Sequence, residues 1–472
     1  MLGLLLLPLF QTQAAASPPK RPPDLLALTD QARALPPEFC ADVLLRVVAT
    51  GRIQEQKWKR ELVEEAFRAG AHAQLLYRRQ GGIHTDTRQS HEAWDNKLEA
   101  LTLQSRAVQA MVPIDPLRAR AMFDEIAFPE LPNPDCKEAL TPQLDIYYLA
   151  ATNVFPAGFT PKEIEKEDHV RFLKRLIGSM RSPAQTGLVF LMLEIVKPTA
   201  EQKQALFGMY AAALDRVSGS SRAFADRLVV PAAMRRSPNE TMPAMATAIR
   251  NYIVRHLSGA RCSDTLPKDG KPEPLVEQFN SLLAGVNLPD IKPISAEEVQ
   301  PLKVEGTFKL DEFWQSPRSK QVLERLRWLT HGNRDMPGDK RFWTLEERSA
   351  NEWTARYYDT FKLIEGWKED EEPSREEYFA MKAGTYGSLA RLAPPGKARD
   401  TAMGQYLQFL EQTYFLIENH NYWFTDLSFM LSEARTTKDA ANRAWILSEL
   451  GRSANPVIAT YAQLTRMEPQ GK

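Results

Sequence analysis

The stretch TAEQKQALFGMYAAALDRVSG, Thr199 to Gly219, decides the fold class. Thr199 and Gln202 have the spacing of a capping box, in which the two side chains satisfy backbone N–H groups that a helix start leaves unpaired. Apolar residues then recur every three or four positions until Gly219 offers a stop, which is the period of a helix with one buried face. These apolar residues are Leu206, Met209, Tyr210, Ala213, Leu214 and Val217. The stretch therefore predicts an amphipathic α-helix.

The same helix-start signal recurs along the chain. Its further occurrences are Thr160–Glu163, Ser182–Gln185, Ser237–Glu240, Ser295–Glu298, Thr344–Glu347 and Ser374–Glu377. Three of them carry proline at the first helical position, where its missing N–H costs nothing. Strand patterns are nearly absent, so the sequence predicts an all-α fold.

Short breaks separate the predicted helices, as in LQSRAVQAMVPIDPLRARAMFDEI, Leu103 to Ile126. Helices joined by short loops pack as antiparallel hairpins. This rhythm resembles the α-helical repeat proteins, the tetratricopeptide and HEAT-like solenoids, although the hairpins do not share one period. The resemblance implies antiparallel helical hairpins packed as an irregular solenoid or helical array, and it implies no catalytic residue.

One segment has the pattern of a strand. In LKVEGTFKL, 302–310, apolar side chains alternate with polar ones, as in a half-buried strand. No second strand is predicted to pair with it. The segment is therefore interpreted as an extended connector or as one arm of a very small sheet.

The amino terminus predicts export. An apolar run from Leu2 to Phe10 is followed by Ala14-x-Ala16, the pattern of a secretory signal cleaved after Ala16. The run is shorter than the roughly 20 residues that span a bilayer. The predicted organisation is a signal at 1–16, a proline-rich lead-in at 17–35, an N-terminal helical region at 36–262, a connector at 263–310 and a C-terminal helical region at 311–466. The expected location is periplasmic or extracellular.

Composition excludes several classes of function. Apolar residues make up 43% of the chain and charged residues 25%, which argues against wholesale disorder. The formal net charge is zero and no basic run is present, so nucleic acid is not an expected partner. No later window is apolar enough for a transmembrane segment, and the usual nucleotide and serine-hydrolase motifs are missing, so no cofactor is expected.

Three cysteines bear on whether the chain is an enzyme. Cys262 follows His256 by six residues and could be a nucleophile, a metal ligand, a disulfide partner or an unpaired thiol. Cys136 also lies in a proline-bearing loop, and loop cysteines of exported proteins more often form disulfides than active sites. The sequence favours a Cys136–Cys262 disulfide. Cys40 lies on an apolar helix and is interpreted as a small buried hydrophobe.

Two groups of polar residues are candidates for other chemistry. His84, Asp86 and His91 lie in GGIHTDTRQSHEAWD and could hold a metal ion, although their spacing matches no established pattern. A carbohydrate site could combine histidines and acids that lie beside aromatic residues, because glycosidases place carboxylates on both sides of the scissile bond. Its candidates are His331, Asp335, His420 and Asp426.

Two hypotheses about function follow. The first is an exported all-α binding or scaffold protein whose partner is another exported or envelope protein. The second is an exported enzyme on a helical framework, acting on carbohydrate or using a metal held in a loop. The many predicted helices and the lack of a coherent catalytic set favour the first.

Overall fold

Helices dominate the computed structural model, which describes residues 21–74, 77–79, 96–131, 136, 140–218, 230–267, 272–286, 288–306, 316–331, 347–372, 375–417 and 420–468. The first ten α-helices are α1 (Pro23–Arg33), α2 (Pro37–Ala49), α3 (Gln56–Ala71), α4 (Ala100–Met111), α5 (Pro116–Glu125), α6 (Asp145–Val154), α7 (Pro161–Glu165), α8 (Asp168–Gly178), α9 (Pro183–Ile195) and α10 (Ala200–Leu214). The next ten are α11 (Val230–Arg236), α12 (Met242–Leu257), α13 (Pro274–Gly285), α14 (Pro317–His331), α15 (Glu347–Glu365), α16 (Arg375–Leu392), α17 (Lys397–Thr413), α18 (His420–Thr436), α19 (Ala440–Gly451) and α20 (Pro456–Met467). The all-α prediction is confirmed.

Three of the predicted capping boxes start helices as expected. Thr160, Ser182 and Thr199 precede α7, α9 and α10. Each hydroxyl accepts a hydrogen bond from the backbone of the residue three positions on, and the side chain of that residue accepts one from the backbone N–H of the cap. The Ser295–Glu298 box also forms, but it precedes only the short 3-10 turn Glu297–Val299. Local side-chain chemistry is thus enough to place these helix starts.

The box predicted at Ser237–Glu240 is wrong. The Ser237 hydroxyl donates to the carbonyl oxygen of Ala233 at 2.7 Å and so belongs to the end of α11. The next helix, α12, begins only at Met242. Thr344 and Ser374, which belong to the two remaining boxes, lie outside the described residues.

Two small sheets accompany the helices. Strand β1 (Tyr77–Arg79) pairs antiparallel with β2 (Leu140–Pro142), a pairing that the sequence does not predict. Strand β3 (Ala260–Cys262) pairs parallel with β4 (Lys303–Glu305). Within the segment predicted at 302–310, the described residues Lys303–Glu305 therefore form one arm of a very small sheet. The half-burial predicted for the segment is not seen in this part, since Leu302 and Val304 are both exposed, and Phe308 and Leu310 lie outside the described residues.

The first and last helices of the described residues contact each other. Helices α1 and α2 pack against α20, and α18 packs against α20 as well. An open solenoid leaves apolar faces at its two ends, which need capping repeats to cover them. Here the two ends of the helical array cover each other, so N-terminal and C-terminal regions share an interface. Whether 36–262 and 311–466 are separate domains stays a prediction.

Candidate functional site

A cluster of charged residues, including a buried carboxylate, lies where α2 meets α20. Helix α2 is apolar on the stripe Phe39, Val43, Leu44 and Val47, all fully buried, yet it also buries Asp42. A buried carboxylate requires donors, because transfer out of water costs several kcal/mol when it is unpaired. Two of the partners of Asp42, Arg106 and Tyr461, come from distant parts of the chain.

Two donors hold the carboxylate of Asp42. Its Oδ1 accepts a hydrogen bond from Arg106 Nη2 at 2.7 Å, and its Oδ2 accepts one from the Tyr461 hydroxyl at 2.7 Å. Arg106 lies on α4 and Tyr461 on α20, 419 residues after Asp42. One carboxylate therefore joins three helices, including the last one.

These contacts set the charge of the group. Burial alone would raise the pKa of Asp42, but Arg106 and Arg46, with the Tyr461 hydroxyl, outweigh burial and hold this pKa below its usual range. Burial and the neighbouring Asp42 carboxylate raise the pKa of Tyr461 well above its ordinary value. Asp42 is thus a carboxylate and Tyr461 a neutral donor, which matches the hydrogen bond between them.

A second ion pair extends the cluster toward solvent. Arg46 Nε donates to Glu468 Oε1 at 2.7 Å, and Arg46 Nη1 lies 3.5 Å from Asp42 Oδ2. Arg435 Nε, on α18, lies 3.4 Å from Glu468 Oε2. We call this set of residues the terminal junction: Asp42, Arg46, Arg106, Arg435, Tyr461 and Glu468. It joins α2 to α4, α18 and α20 through alternating charges.

Aromatic packing surrounds the terminal junction. The ring of Phe39 lies 5.3 Å from Phe424 and 6.1 Å from Tyr461, and Phe424 lies 4.7 Å from Tyr461. Trp423, 6.4 Å from Phe39, is buried and donates to the carbonyl oxygen of Leu410 at 2.9 Å. Apolar contacts and ion pairs therefore bind the same helices together.

His420 lies at the edge of this packing. Its ring stacks on Tyr414 with centroids 4.5 Å apart and an interplanar angle of 4°. Its Nδ1 lies 3.4 Å from Glu38 Oε1, and the side chains of His420 and Glu38 are 27% and 16% exposed. His420, which the sequence predicts for a carbohydrate site, thus contacts an acid of α2. The sequence analysis did not predict this contact.

Of the other three predicted carbohydrate residues, the structure allows only Asp426 to be compared with His420. Asp426 is buried, and six residues along α18 place it on a different face from His420, because a helix turns about 100° per residue. His331 ends α14, and Asp335 lies outside the described residues. Among the residues that the structure describes, Glu38 is the one carboxylate in contact with His420. The pair of carboxylates that a glycosidase requires is therefore not seen around His420 in this part of the chain.

Two of the six tryptophans that the structure describes have an arginine over one ring face. The guanidinium of Arg356 lies 3.9 Å from the ring centre of Trp328, and that of Arg399 lies 3.8 Å from the ring centre of Trp445. Four other tryptophans are buried in the core: Trp58, Trp353, Trp367 and Trp423. Their contacts are those of core and helix-interface residues.

The predicted metal ligands His84, Asp86 and His91 lie outside the described residues. Within the part of the chain that the structure describes, no group of three or more histidines, cysteines or acids is arranged to hold a metal ion. The metal site stays a prediction for that loop.

Cys136 and Cys262 form the pair that the sequence favours. Their sulphur atoms are 2.07 Å apart and their Cα atoms 5.3 Å apart, and both side chains are buried. A sulphur in such a bond is not available as a nucleophile.

Burial, followed by the charge of Arg255, lowers the pKa of His256 to about 4, and the His256 ring lies 4.5 Å from the ring of Tyr252. Cys40 is a free thiol, unlike Cys136 and Cys262. Burial raises the pKa of Cys40 to about 11, so the thiol stays protonated.

Sequence reasoning missed the terminal junction. The available signal was the pair Asp42 and Arg46, four residues apart on the buried side of an apolar helix. A charge in that position requires a partner, but periodicity does not name one.

The comparisons with known proteins give no assignment. No protein-family model matches the chain, and no curated protein and no solved structure matches it either. A separate finding concerns membranes: none of the helices in the described residues combines the length and the hydropathy of a bilayer-spanning segment.

Proposed function

We propose that the chain is an exported all-α scaffold or binding protein. The observation that carries this proposal is the terminal junction, in which Asp42, Tyr461 and Glu468 are bonded to partners that join the ends of the helical array. Polar groups committed in this way stabilise a framework. They are poorly placed to exchange protons with a substrate, since a general acid or base must reach the reacting atom.

Export is the second part of the proposal. Disulfides persist in oxidising compartments, and the Cys136–Cys262 pair closes a long loop of 126 residues. The apolar run and Ala14-x-Ala16 at the amino terminus support the same location. The partner we expect is another exported or envelope protein.

Cross-linking in cells followed by isolation of the tagged chain from the exported fraction tests this function. We expect a discrete protein to be retained at a fixed ratio by the wild type. The Asp42→Asn variant, which opens the junction, should lose it. Asp30→Asn is the matched control, because it breaks only the exposed pair with Arg33 and should retain the partner.

The enzyme hypothesis gives the contradicting result. If the purified chain releases reducing ends from polysaccharide, and His420→Ala abolishes that release, the chain acts on carbohydrate and the scaffold proposal fails. His420 is the informative position because it is the predicted carbohydrate residue whose ring contacts and accessible edge the structure describes.

A further inference from the structure

Strand β4 is an edge strand in the described structure. It pairs on one side with β3, and the described residues contain no other strand beside it. An edge strand presents unpaired N–H and C=O groups and is a template for another chain. Proteins usually cover or shorten such an edge, so its surroundings indicate whether it is used.

The free groups of this edge belong to Lys303 and Glu305. Leu302 N–H donates to the carbonyl oxygen of Ser258 at 3.0 Å, which fixes the direction of its backbone toward β3. Because successive residues of a strand point their backbone groups to opposite sides, those of Lys303 and Glu305 point away from β3. No hydrogen bond joins these groups to another part of the described chain.

Apolar side chains in β4 and immediately before it are also exposed. Leu302 is 89% exposed and Val304 49% exposed, and the two lie on the same face because they are two residues apart. On the other face Lys303 Nζ bonds Glu305 Oε1 at 2.8 Å, with the lysine 69% exposed. A two-residue apolar face and an open edge thus coincide on one strand.

We propose that β4 is a dimerisation strand that pairs antiparallel with β4 of a second copy of this chain. The order Lys303, Val304, Glu305 is self-complementary in that direction. With Val304 opposite Val304 of the second copy, each lysine faces a glutamate across the two-fold axis. Opposite charges in directly facing positions stabilise a strand pair and like charges destabilise it.

Backbone geometry selects the same register. In an antiparallel pair, facing residues alternate between those that exchange two hydrogen bonds and those that exchange none. Centring on Val304 makes each Lys303–Glu305 pair a hydrogen-bonded one, which uses the outward N–H and C=O groups of both residues. It also places Leu302 and Val304 of both copies on one face as a continuous apolar stripe. An isologous contact of this kind closes after two copies.

A charge-swap experiment tests the proposal. The full chain, expressed with its own amino terminus and purified, is studied by sedimentation velocity from about 1 to about 100 μM. We expect wild type to sediment as a dimer at the upper end. Lys303→Glu and Glu305→Lys should each weaken dimerisation by about tenfold or more, because each places like charges opposite one another.

Mixing the two variants gives the decisive result. A copy with two glutamates and a copy with two lysines are complementary, so the mixture should form a heterodimer although neither variant dimerises alone. Lys303 is exposed and Glu305 is half-buried at the surface, so neither substitution places a charge in the core and circular dichroism should show unchanged folding. Arg452→Glu, which breaks the exposed pair with Glu449 elsewhere, is the matched control and should dimerise like wild type.

Three outcomes would overturn the proposal. The first is that the wild type remains a monomer at the highest concentration. This outcome includes the case in which β4 binds an unrelated peptide and not β4 of a second copy of the chain. The dimer could be insensitive to both single substitutions, which would place the interface elsewhere. The mixture could fail to form a heterodimer while each variant alone is monomeric, which would exclude the Val304-centred register.

Discussion

Replacement of Asp42 by asparagine tests how much the terminal junction contributes to stability. The substitution keeps the shape of the side chain but replaces one carboxylate oxygen with an amide that donates. That amide must face either the Arg106 guanidinium or the Tyr461 hydroxyl, each of which donates to Asp42 at 2.7 Å. Arg46, largely buried beside it, loses one of its two acidic partners and keeps Glu468.

The magnitude follows from these contacts. Removal of one partner from a buried ion pair leaves an uncompensated charge and costs about 3 to 5 kcal/mol of unfolding free energy. Chemical denaturation followed by tryptophan fluorescence measures this loss, since Trp423 lies 6.4 Å from Phe39 within the aromatic packing around the junction. The exposed control, Asp30→Asn, should cost less than about 0.5 kcal/mol.

Hydrogen exchange locates the effect. In Asp42→Asn, amides of α2 and α20 should exchange faster together, because both helices lose the same contact. A loss below about 1 kcal/mol, with exchange in α20 unchanged, would refute the reasoning, because it would mean that the buried carboxylate does not bind the two helices.

Three further predictions concern pH, the disulfide and export. Burial, although opposed by hydrogen bonds from the backbone N–H groups of Leu101 and Thr102, raises the pKa of Glu99 from 4.5 to about 7, so the folded state holds this proton more tightly than the unfolded state. The stabilising contribution of Glu99 is therefore greatest below pH 4.5 and falls by roughly 3 kcal/mol as the pH rises to about 7. Glu99→Gln should remove that loss when the unfolding free energy is measured by denaturation at several pH values. If the variant and the wild type have the same pH profile, the raised pKa of Glu99 is contradicted. Cys136→Ser should lower the unfolding free energy by roughly 4 to 5 kcal/mol in the chain-entropy model, because it opens a loop of 126 residues, and equal stability of wild type with and without reductant would argue against the bond. Amino-terminal sequencing of the exported protein should begin at or near Ser17, and an intact amino terminus in a cytoplasmic preparation would contradict export.

Local patterns predicted the helices well because their causes are local. The hydroxyl of Thr199 reaches Gln202 within one turn, so residue spacing alone places the start of α10. Ser237 shows the limit of the same pattern: its hydroxyl bonds backward to Ala233, and nothing in the spacing distinguishes the two choices. A serine hydroxyl can donate to a carbonyl of the preceding helix or accept from an N–H of the following one, and Ser237 donates to the carbonyl that α11 has already positioned.

Long-range partners could not be predicted in the same way. The bond from Tyr461 to Asp42 spans 419 residues, and no periodic pattern encodes it. The alternation around Val304 correctly predicted an extended strand, but it placed the apolar face in the core, because alternation identifies two faces without showing what covers either one. The cysteine pair was accessible to sequence reasoning because few cysteines were available and two of them lay outside any helix pattern, although Cys262 ends strand β3 and does not lie in a loop as predicted.

A double-mutant cycle between Asp42 and Tyr461 tests most directly whether the two ends of the helical array are joined. Unfolding free energies are measured for wild type, Asp42→Asn, Tyr461→Phe and the double variant. If the carboxylate and the hydroxyl are bonded as the structure shows, the effects are not additive, and the coupling energy is about 1 kcal/mol or more. Additivity within about 0.5 kcal/mol would show that the two residues do not interact. It would contradict the account in which the terminal junction joins the two ends of the helical array.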